Sequence, residues 1–245
     1  PTGTSTVTPP PAAIAAAMIR RQAADAIRTG NGLGMGSNHF LVLLIEFKDL
    51  QFTVDNPNES FTRLLNEPGY SDNGGTGSAA DYYTENSSGM FTPVYDVYGP
   101  IKVNGGYAEY GNNDQGSERA DFLLVEACQL ADSQIDFSKY DLDNDGIVDN
   151  IFFFFAGHNE AEGAGDDYIW PHKWNVFRPS YSNFDGKRLD SYACTSEYSG
   201  SRGTNMAGIG TFCHEFGHVI GLPDFYDTDY DQNGYAAALG MLSLM

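Results

Sequence analysis

Cysteine is scarce in this chain, with only Cys128, Cys194 and Cys213 among 245 residues. Because three is an odd number, at least one thiol stays unpaired unless it bonds to another chain, which excludes a disulfide framework. The chain does not need one, since 245 residues can bury the core of one large domain or two small lobes.

Basic residues are also few, with 13 Lys and Arg against 33 Asp and Glu, for a formal net charge of -20. A surface this acidic repels phosphate backbones and anionic membrane surfaces. We therefore expect no nucleic acid partner.

Long hydrophobic runs are missing as well. The run 151–156 has the length of a strand, and no run approaches the roughly 18 apolar residues that span a bilayer. We expect no membrane span. Nothing near Pro1 has the charged and apolar parts of a signal peptide, so any export signal is expected to have been removed or omitted from this chain.

The segment from His214 to Asp224 carries the strongest chemical signal. Side chains four residues apart lie on one face of a helix, so His214 and His218 can bind one zinc ion, with Glu215 beside it as a base. A catalytic zinc needs a third protein ligand and one open position. Gly221 can end the helix and turn the chain back, which makes Asp224 the leading candidate for that ligand.

Two less specific interpretations of this segment are possible. The first is an ordinary helix with two structural histidines, which the ordered Gly and Asp extension argues against. The second makes Cys213 a ligand. One step along a helix rotates a side chain by about 100°, however, so we expect Cys213 to be a small buried apolar residue.

A second loop resembles half of a calcium site. Gly146 permits a sharp turn, and oxygen ligands on alternate residues before it can converge on one hard cation. Phe152 stands where an EF-hand has its bidentate Glu, so we predict a calcium-binding turn that anchors a strand. The alternative is a solvated acidic turn. The predicted ligands are Asp141, Asp143, Asp145, the Ile147 carbonyl and Asp149.

Apolar periodicity predicts a chain of mixed helices and strands. We expect 39–47 in the centre of a sheet and 189–195 at the rim of a cleft. The predicted class is α+β. The predicted helices cover 12–29, 77–85, 118–132 and 208–221, and the predicted strands cover 39–47, 91–97, 147–156 and 189–195.

Several of these segments together resemble a known family. The order His-Glu-x-x-His-x-x-Gly-x-x-Asp in 214–224 is similar to the extended motif of the metzincin peptidases. With Leu-Pro-Asp-Phe-Tyr-Asp in 222–227, it resembles the immune inhibitor A-like family of secreted bacterial metallopeptidases. Further resemblance lies in 77–83, 86–91, 98–100 and 169–172.

The resemblance implies a catalytic domain over 37–245, with a twisted mixed β-sheet, a backing helix and a zinc-binding helix. It implies a secreted zinc endopeptidase that hydrolyses polypeptides with a zinc-activated water and Glu215 as general base. It also implies a methionine turn over 240–245, with Met245 as the family methionine. The catalytic domain is then expected to be incomplete at its C-terminus.

The segment 1–36 is expected to be a Pro- and Ala-rich leader, a possible propeptide remnant. Asp25 could act as an aspartate switch on the zinc, or be a solvated helix carboxylate. Two rival functions stay open: a non-catalytic surface module that binds calcium or zinc, and a zinc hydrolase acting on non-peptide bonds. The sequence does not predict an oligomeric state.

Overall fold

The computed structural model describes residues 33–111, 118–177, 182–225 and 244–245. The predicted helix over 12–29, most of the predicted leader and residues 240–243 of the predicted methionine turn lie outside the described residues.

The described residues form five α-helices and eight strands. The helices are α1 (Pro57–Asn66), α2 (Ala79–Asn86), α3 (Tyr107–Tyr110), α4 (Ala120–Ala131) and α5 (Ile209–Val219). The strands are β1 (His39–Glu46), β2 (Val94–Lys102), β3 (Ile147–Val148), β4 (Ile151–Phe155), β5 (His172–Asn175), β6 (Asn183–Phe184), β7 (Lys187–Leu189) and β8 (Ser191–Ser196). Single 3-10 turns cover Asp72–Gly74, Asp132–Gln134 and Phe137–Tyr140.

The main sheet has five strands in the order β2-β1-β4-β8-β5. The neighbours from β2 to β8 pair in parallel, and β5 pairs with β8 in the antiparallel direction. The predicted mixed sheet is therefore confirmed, with 39–47 in an inner strand.

Strand β4 shows how both faces of this sheet are covered. Phe152 and Phe154 contact Phe212 of α5, with ring centroids 4.4 and 5.6 Å apart. Phe153 points to the opposite face, where its ring stacks on Tyr192 at 5.7 Å. A strand buried on both faces reads as a continuous apolar run, which explains the four consecutive phenylalanines.

The face of the sheet that carries Phe153 is covered near the start of α4. Glu118, two residues before α4, contacts His172 on this face, and α4 packs against β2 with Leu123, Leu124 and Ala127 buried. This helix has the backing position that the sequence predicted for 118–132.

The predicted strand 147–156 was wrong in one respect, because it is two strands in two sheets. β3 joins a three-stranded sheet in the order β3-β7-β6, whereas β4 is central in the main sheet. The break falls at Asp149, whose N–H donates to the Tyr140 carbonyl at 2.9 Å and whose carbonyl accepts from Ser191 Oγ at 3.1 Å. These contacts take Asp149 out of the strand ladder.

The predicted position of 189–195 was also wrong. β8 lies between β4 and β5 with all six residues buried, so it is not a rim strand. The edge is β5, which the sequence analysis missed because four half-buried residues carry little periodicity. Helix α1 was not predicted either, although Pro57 followed by buried Phe61, Leu64 and Leu65 is typical of a helix.

Candidate metal centre

Helix α5 is fixed in the core by its aromatic face. Phe216 packs edge-on against Phe40 at 4.8 Å and Tyr95 at 5.2 Å. The Tyr83 hydroxyl donates to the Cys213 carbonyl at 2.6 Å, which ties α5 to α2. Because both contacts come from the buried side, the opposite face of the helix is held in place for the polar residues.

The end of α5 turns the chain back on itself. Gly221 has a φ of 95°, a backbone conformation that L side chains rarely adopt. The Leu222 N–H donates to the Gly217 carbonyl at 2.9 Å, the long-range bond of a Schellman-type helix end. This turn returns Asp224 to the side chains of the helix.

Three predicted ligand atoms converge at this point. Asp224 Oδ1 lies 3.5 Å from His214 Nε2 and 3.2 Å from His218 Nε2. The ligand atoms of His214, His218 and Asp224 all lie within 4.8 Å of one another, which makes the group able to hold a metal ion. The structure thus brings together the three residues that spacing singled out.

Main-chain carbonyls set the orientation of both imidazoles. His214 Nδ1 lies 2.8 Å from the Leu244 carbonyl, and His218 Nδ1 lies 2.8 Å from the Leu222 carbonyl. A carbonyl oxygen only accepts, so each Nδ1 is the donor, and in the neutral imidazole the lone pair is then on Nε2, which faces the cluster. The sequence holds no signal for these partners, since every residue carries a carbonyl.

Glu215 lies beside the cluster in a buried position, with 7 % of its surface exposed. Burial raises the pKa of Glu215 to about 7; His218 opposes the rise and Asp224 adds to it. A carboxyl group with a pKa near the working pH can both accept and return a proton. Burial also acts to lower the pKa of His218, but the Asp224 carboxylate and the Leu222 carbonyl outweigh it and raise that pKa.

Met245, the predicted methionine of the turn, is buried and lies against Gly217 of α5. Cys213 is buried as predicted, and burial raises the pKa of its thiol. The structure therefore gives Cys213 a packing position in the helix.

The predicted calcium loop is assembled only in part. Asp141, Asp143 and Asp149 offer carboxylate oxygens within 4.8 Å of one another, and Asp145 is not in that group. Lys187 Nζ, which the sequence analysis did not consider, donates to Asp141 Oδ2 at 2.6 Å. Burial acts to raise the pKa of Asp141, but this ammonium and nearby backbone N–H groups hold it below its ordinary value.

A buried carboxylate that sequence reasoning missed lies at the end of β8. Glu197 is fully buried, and its two oxygens accept from the N–H groups of Thr53 at 2.7 Å, Val54 at 3.2 Å and Gly157 at 3.1 Å. It ties two loops to the sheet. A single Glu in a polar segment carries no signal for this role, since its partners are distant in sequence.

A helix that presents two imidazoles and a buried carboxylate, completed by an aspartate after a glycine turn, could hold a metal ion and is the arrangement typical of metal-dependent hydrolases. Comparison with known proteins places the chain within that class. Residues 30–245 match the family model described as immune inhibitor A peptidase M6, catalytic domain. The chain belongs to this metallopeptidase family.

Two relatives show the extent of the similarity. Immune inhibitor A of Bacillus thuringiensis subsp. alesti is 28 % identical over 239 residues, covering 79 % of this chain and 34 % of the relative. The pre-pro-metalloprotease PrtV of Vibrio cholerae serotype O1 is 30 % identical over 236 residues, covering 79 % of this chain and 25 % of the relative. The chain thus spans about a quarter to a third of these relatives.

Proposed function

We propose that this chain is the catalytic part of a zinc-dependent endopeptidase. The observation that carries the proposal is the convergence of His214 Nε2, His218 Nε2 and Asp224 Oδ1. Ligand atoms bound tetrahedrally to zinc at its usual bond lengths lie about 3.3 Å apart. The two separations from Asp224 Oδ1, 3.5 and 3.2 Å, bracket this value. The donor set also fits, since nitrogen and carboxylate ligands are the ones zinc takes in hydrolases.

Glu215 is the proposed general base. When bound, zinc supplies a Lewis acid that increases the acidity of water and polarises a carbonyl group. Glu215 accepts the proton of the attacking water and returns it to the leaving amine. Its burial supports this role, because desolvation raises the pKa of Glu215 above its ordinary value and makes the carboxylate a better proton acceptor.

Strand β5 is the proposed binding edge for an extended polypeptide. It is the outer strand of the main sheet, and α5 packs near it. A peptide that adds to this edge gains main-chain hydrogen bonds that depend little on side-chain identity. Broad specificity for polypeptide substrates follows from this mode.

Further features support a metzincin-type domain over 37–245, preceded by a leader over 1–36. The main sheet ends in one antiparallel edge strand, and Met245 lies against the zinc-binding helix, where the family methionine is expected.

None of the helices in the described part of the chain combines the length and apolarity that crossing a bilayer requires. With two relatives from bacteria, one of them named a pre-pro-metalloprotease, we propose that the protein is exported.

Calcium binding at 141–149 remains a prediction. Asp141, Asp143 and Asp149 support it, because their oxygens converge. The Lys187 ammonium opposes it, since it already neutralises Asp141. Any calcium bound by these carboxylates, with Asp145 and the Ile147 carbonyl as further predicted ligands, has to displace that contact.

The function is tested by zinc content and by cleavage of an unfolded protein. We expect the chain to bind zinc stoichiometrically, His214→Ala and Asp224→Ala to lose both zinc and cleavage, and Glu215→Gln to keep zinc while cleavage falls at least 100-fold. His39→Gln is the control, since His39 is exposed at the start of β1.

The outcomes separate the rival functions. Retained cleavage in Glu215→Gln contradicts the assignment of the base. The second test uses a peptide library with cleavage detected by mass spectrometry. If the chain binds zinc but cleaves no peptide, a binding module or a hydrolase for non-peptide bonds is favoured.

A further inference from the structure

Gly217 is a glycine in the interior of α5, between the two histidines of the metal cluster. It is buried, and a glycine at an interior helix position costs about 1 kcal/mol relative to alanine. The proposed chemistry does not use this position. A packing constraint would explain why a glycine occupies this position.

The reason lies in the space that a side chain would need. A Cβ added to Gly217 would lie 2.6 Å from Met245 Sδ, 3.1 Å from Met245 Cε and 3.8 Å from Leu222 Cδ1. Non-bonded heavy atoms pack best at about 3.5 to 4.0 Å. A methyl group at this position therefore requires the Met245 side chain to move.

The segments that meet at Gly217 also orient the imidazoles. Leu244, the neighbour of Met245, accepts the hydrogen bond of His214 Nδ1 at 2.8 Å. Leu222 accepts the hydrogen bond of His218 Nδ1 at 2.8 Å. Both acceptors are main-chain atoms, so their positions follow from how closely these segments pack on α5.

We propose that Gly217 is a positioning residue of the metal site. Its missing side chain lets the Met245 thioether pack against the helix, which keeps the carbonyl of the neighbouring Leu244 at His214 Nδ1 and His214 Nε2 turned toward Asp224. A methyl group here pushes Met245 outward and withdraws the Leu244 carbonyl from His214. The inference rests on the proposed zinc function for its effect on metal affinity, whereas the packing contact stands independently.

Gly217→Ala is the first test. We expect its zinc affinity, measured by competition with a chromogenic chelator, to fall by about tenfold or more, the usual effect of losing a group that orients a ligand. We expect kcat to fall with little change in KM. Without zinc, the melting temperature should fall despite the better helix propensity of alanine. A higher melting temperature with unchanged zinc affinity would overturn the proposal.

Gly210→Ala is the matched control, since Gly210 is in the same helix and no atom lies within 4 Å of its added Cβ. This variant should keep zinc affinity and gain thermal stability. An equal loss of zinc affinity in Gly210→Ala and Gly217→Ala contradicts a role specific to Gly217.

A double-mutant cycle with Met245→Ala identifies the contact. In the Met245→Ala background, Gly217→Ala should lower zinc affinity less than twofold. If Gly217→Ala alone does not fold, the double variant should fold, because Met245→Ala removes the clash. The full tenfold loss in this background overturns the proposal. If the parent chain binds no zinc, the proposed function fails, and the melting temperatures of the same four proteins still decide whether Gly217 and Met245 are coupled.

Discussion

At the scale of single residues, the metal cluster depends on main-chain atoms as much as on its side chains. The carbonyls of Leu222 and Leu244 select the tautomer of His218 and His214, and these contacts do not require a leucine side chain. Spacing predicted which residues converge, because a helix places positions four apart on one face. Spacing could not predict which main-chain carbonyls orient the imidazole rings.

Two titratable residues on the other face of the sheet give the protein a pH-dependent contact. His172 Nδ1 lies 2.6 Å from the Trp170 carbonyl and 3.3 Å from Glu118 Oε1, and His172 Nε2 accepts from the Tyr192 hydroxyl at 2.9 Å. Burial raises the pKa of Glu118 to about 8 and lowers the pKa of His172 to about 4. Both side chains are therefore neutral between these values.

We predict that Glu118 destabilises the protein as the pH rises. The pKa of Glu118 in the folded chain, about 8, lies above the ordinary value of 4.5. The protonated carboxyl group therefore makes its full contribution to the free energy of unfolding below pH 4.5, and this contribution is lost as the pH rises toward 8. The melting temperature of the parent chain should fall relative to Glu118→Gln across this range, by several degrees.

The measurement is thermal unfolding at a series of pH values, with Glu85→Gln as the control because Glu85 is exposed. His172 acts in the opposite direction, since its lowered pKa removes stability as the pH falls from 6.5 toward 4. Curves for the parent and Glu118→Gln that run parallel from pH 5 to 8 would show that Glu118 is ionised in the folded chain.

At the scale of secondary-structure elements, α5 is stabilised by aromatic packing more than by its own propensity, since it contains one glycine in its first turn and one in its interior. Phe212 is fully buried and contacts Phe152, Phe154 and Tyr95 at 4.4, 5.6 and 5.1 Å. This packing holds the histidines of α5 at a constant distance from the sheet.

We predict that Phe212→Ala lowers the free energy of unfolding by about 3 to 5 kcal/mol, the usual cost of deleting a buried phenylalanine ring. Zinc affinity should fall with it, since the helix loses its support. Denaturant titration measures the change, and Phe177→Ala is the control because Phe177 is 53 % exposed. Equal stabilities of the two variants would contradict this role.

The loop 141–149 and strand β7 form a second coupled pair of elements. Lys187 of β7 reaches Asp141, whose side chain is fully buried, at 2.6 Å. An ammonium in this position competes with any cation for the same oxygens.

We predict that calcium raises the melting temperature of the parent chain only at millimolar concentration. Lys187→Met should respond at lower concentration, because it removes the competing charge from Asp141. Lys139→Met is the control, since Lys139 is an exposed lysine near the loop. Melting temperatures that are the same with calcium and with a chelator in all three proteins would end the case for a calcium site.

At the scale of the whole molecule, one sheet separates two polar clusters. The metal cluster lies on the α5 face, and Glu118 with His172 lies on the opposite face. β5 connects them, because it carries His172 and is also the proposed binding edge. The predicted mixed sheet with helices was confirmed, and 39–47 lies in an inner strand next to the central strand β4, since long apolar runs report burial directly.

Other features of the architecture could not be predicted from local pattern. The apolar residues of 147–156 look continuous, and only the contacts of Asp149 with Tyr140 and Ser191 divide them between two sheets. The edge strand was misplaced for a similar reason. Whether a short segment lies inside a sheet or at its edge depends on the partners that the rest of the chain supplies.

The sequence by itself determined the candidate metal-binding motif, because His214, Glu215, His218 and Asp224 lie within eleven residues and local helix geometry sets their relation. It also determined that the chain buries a sheet on both faces. Only the tertiary structure decided that Leu244 orients His214, that Met245 fills the space beside Gly217, and that Lys187 neutralises Asp141. These contacts join residues 28 to 46 positions apart, and chain reversals over such distances leave no periodic signal in the sequence.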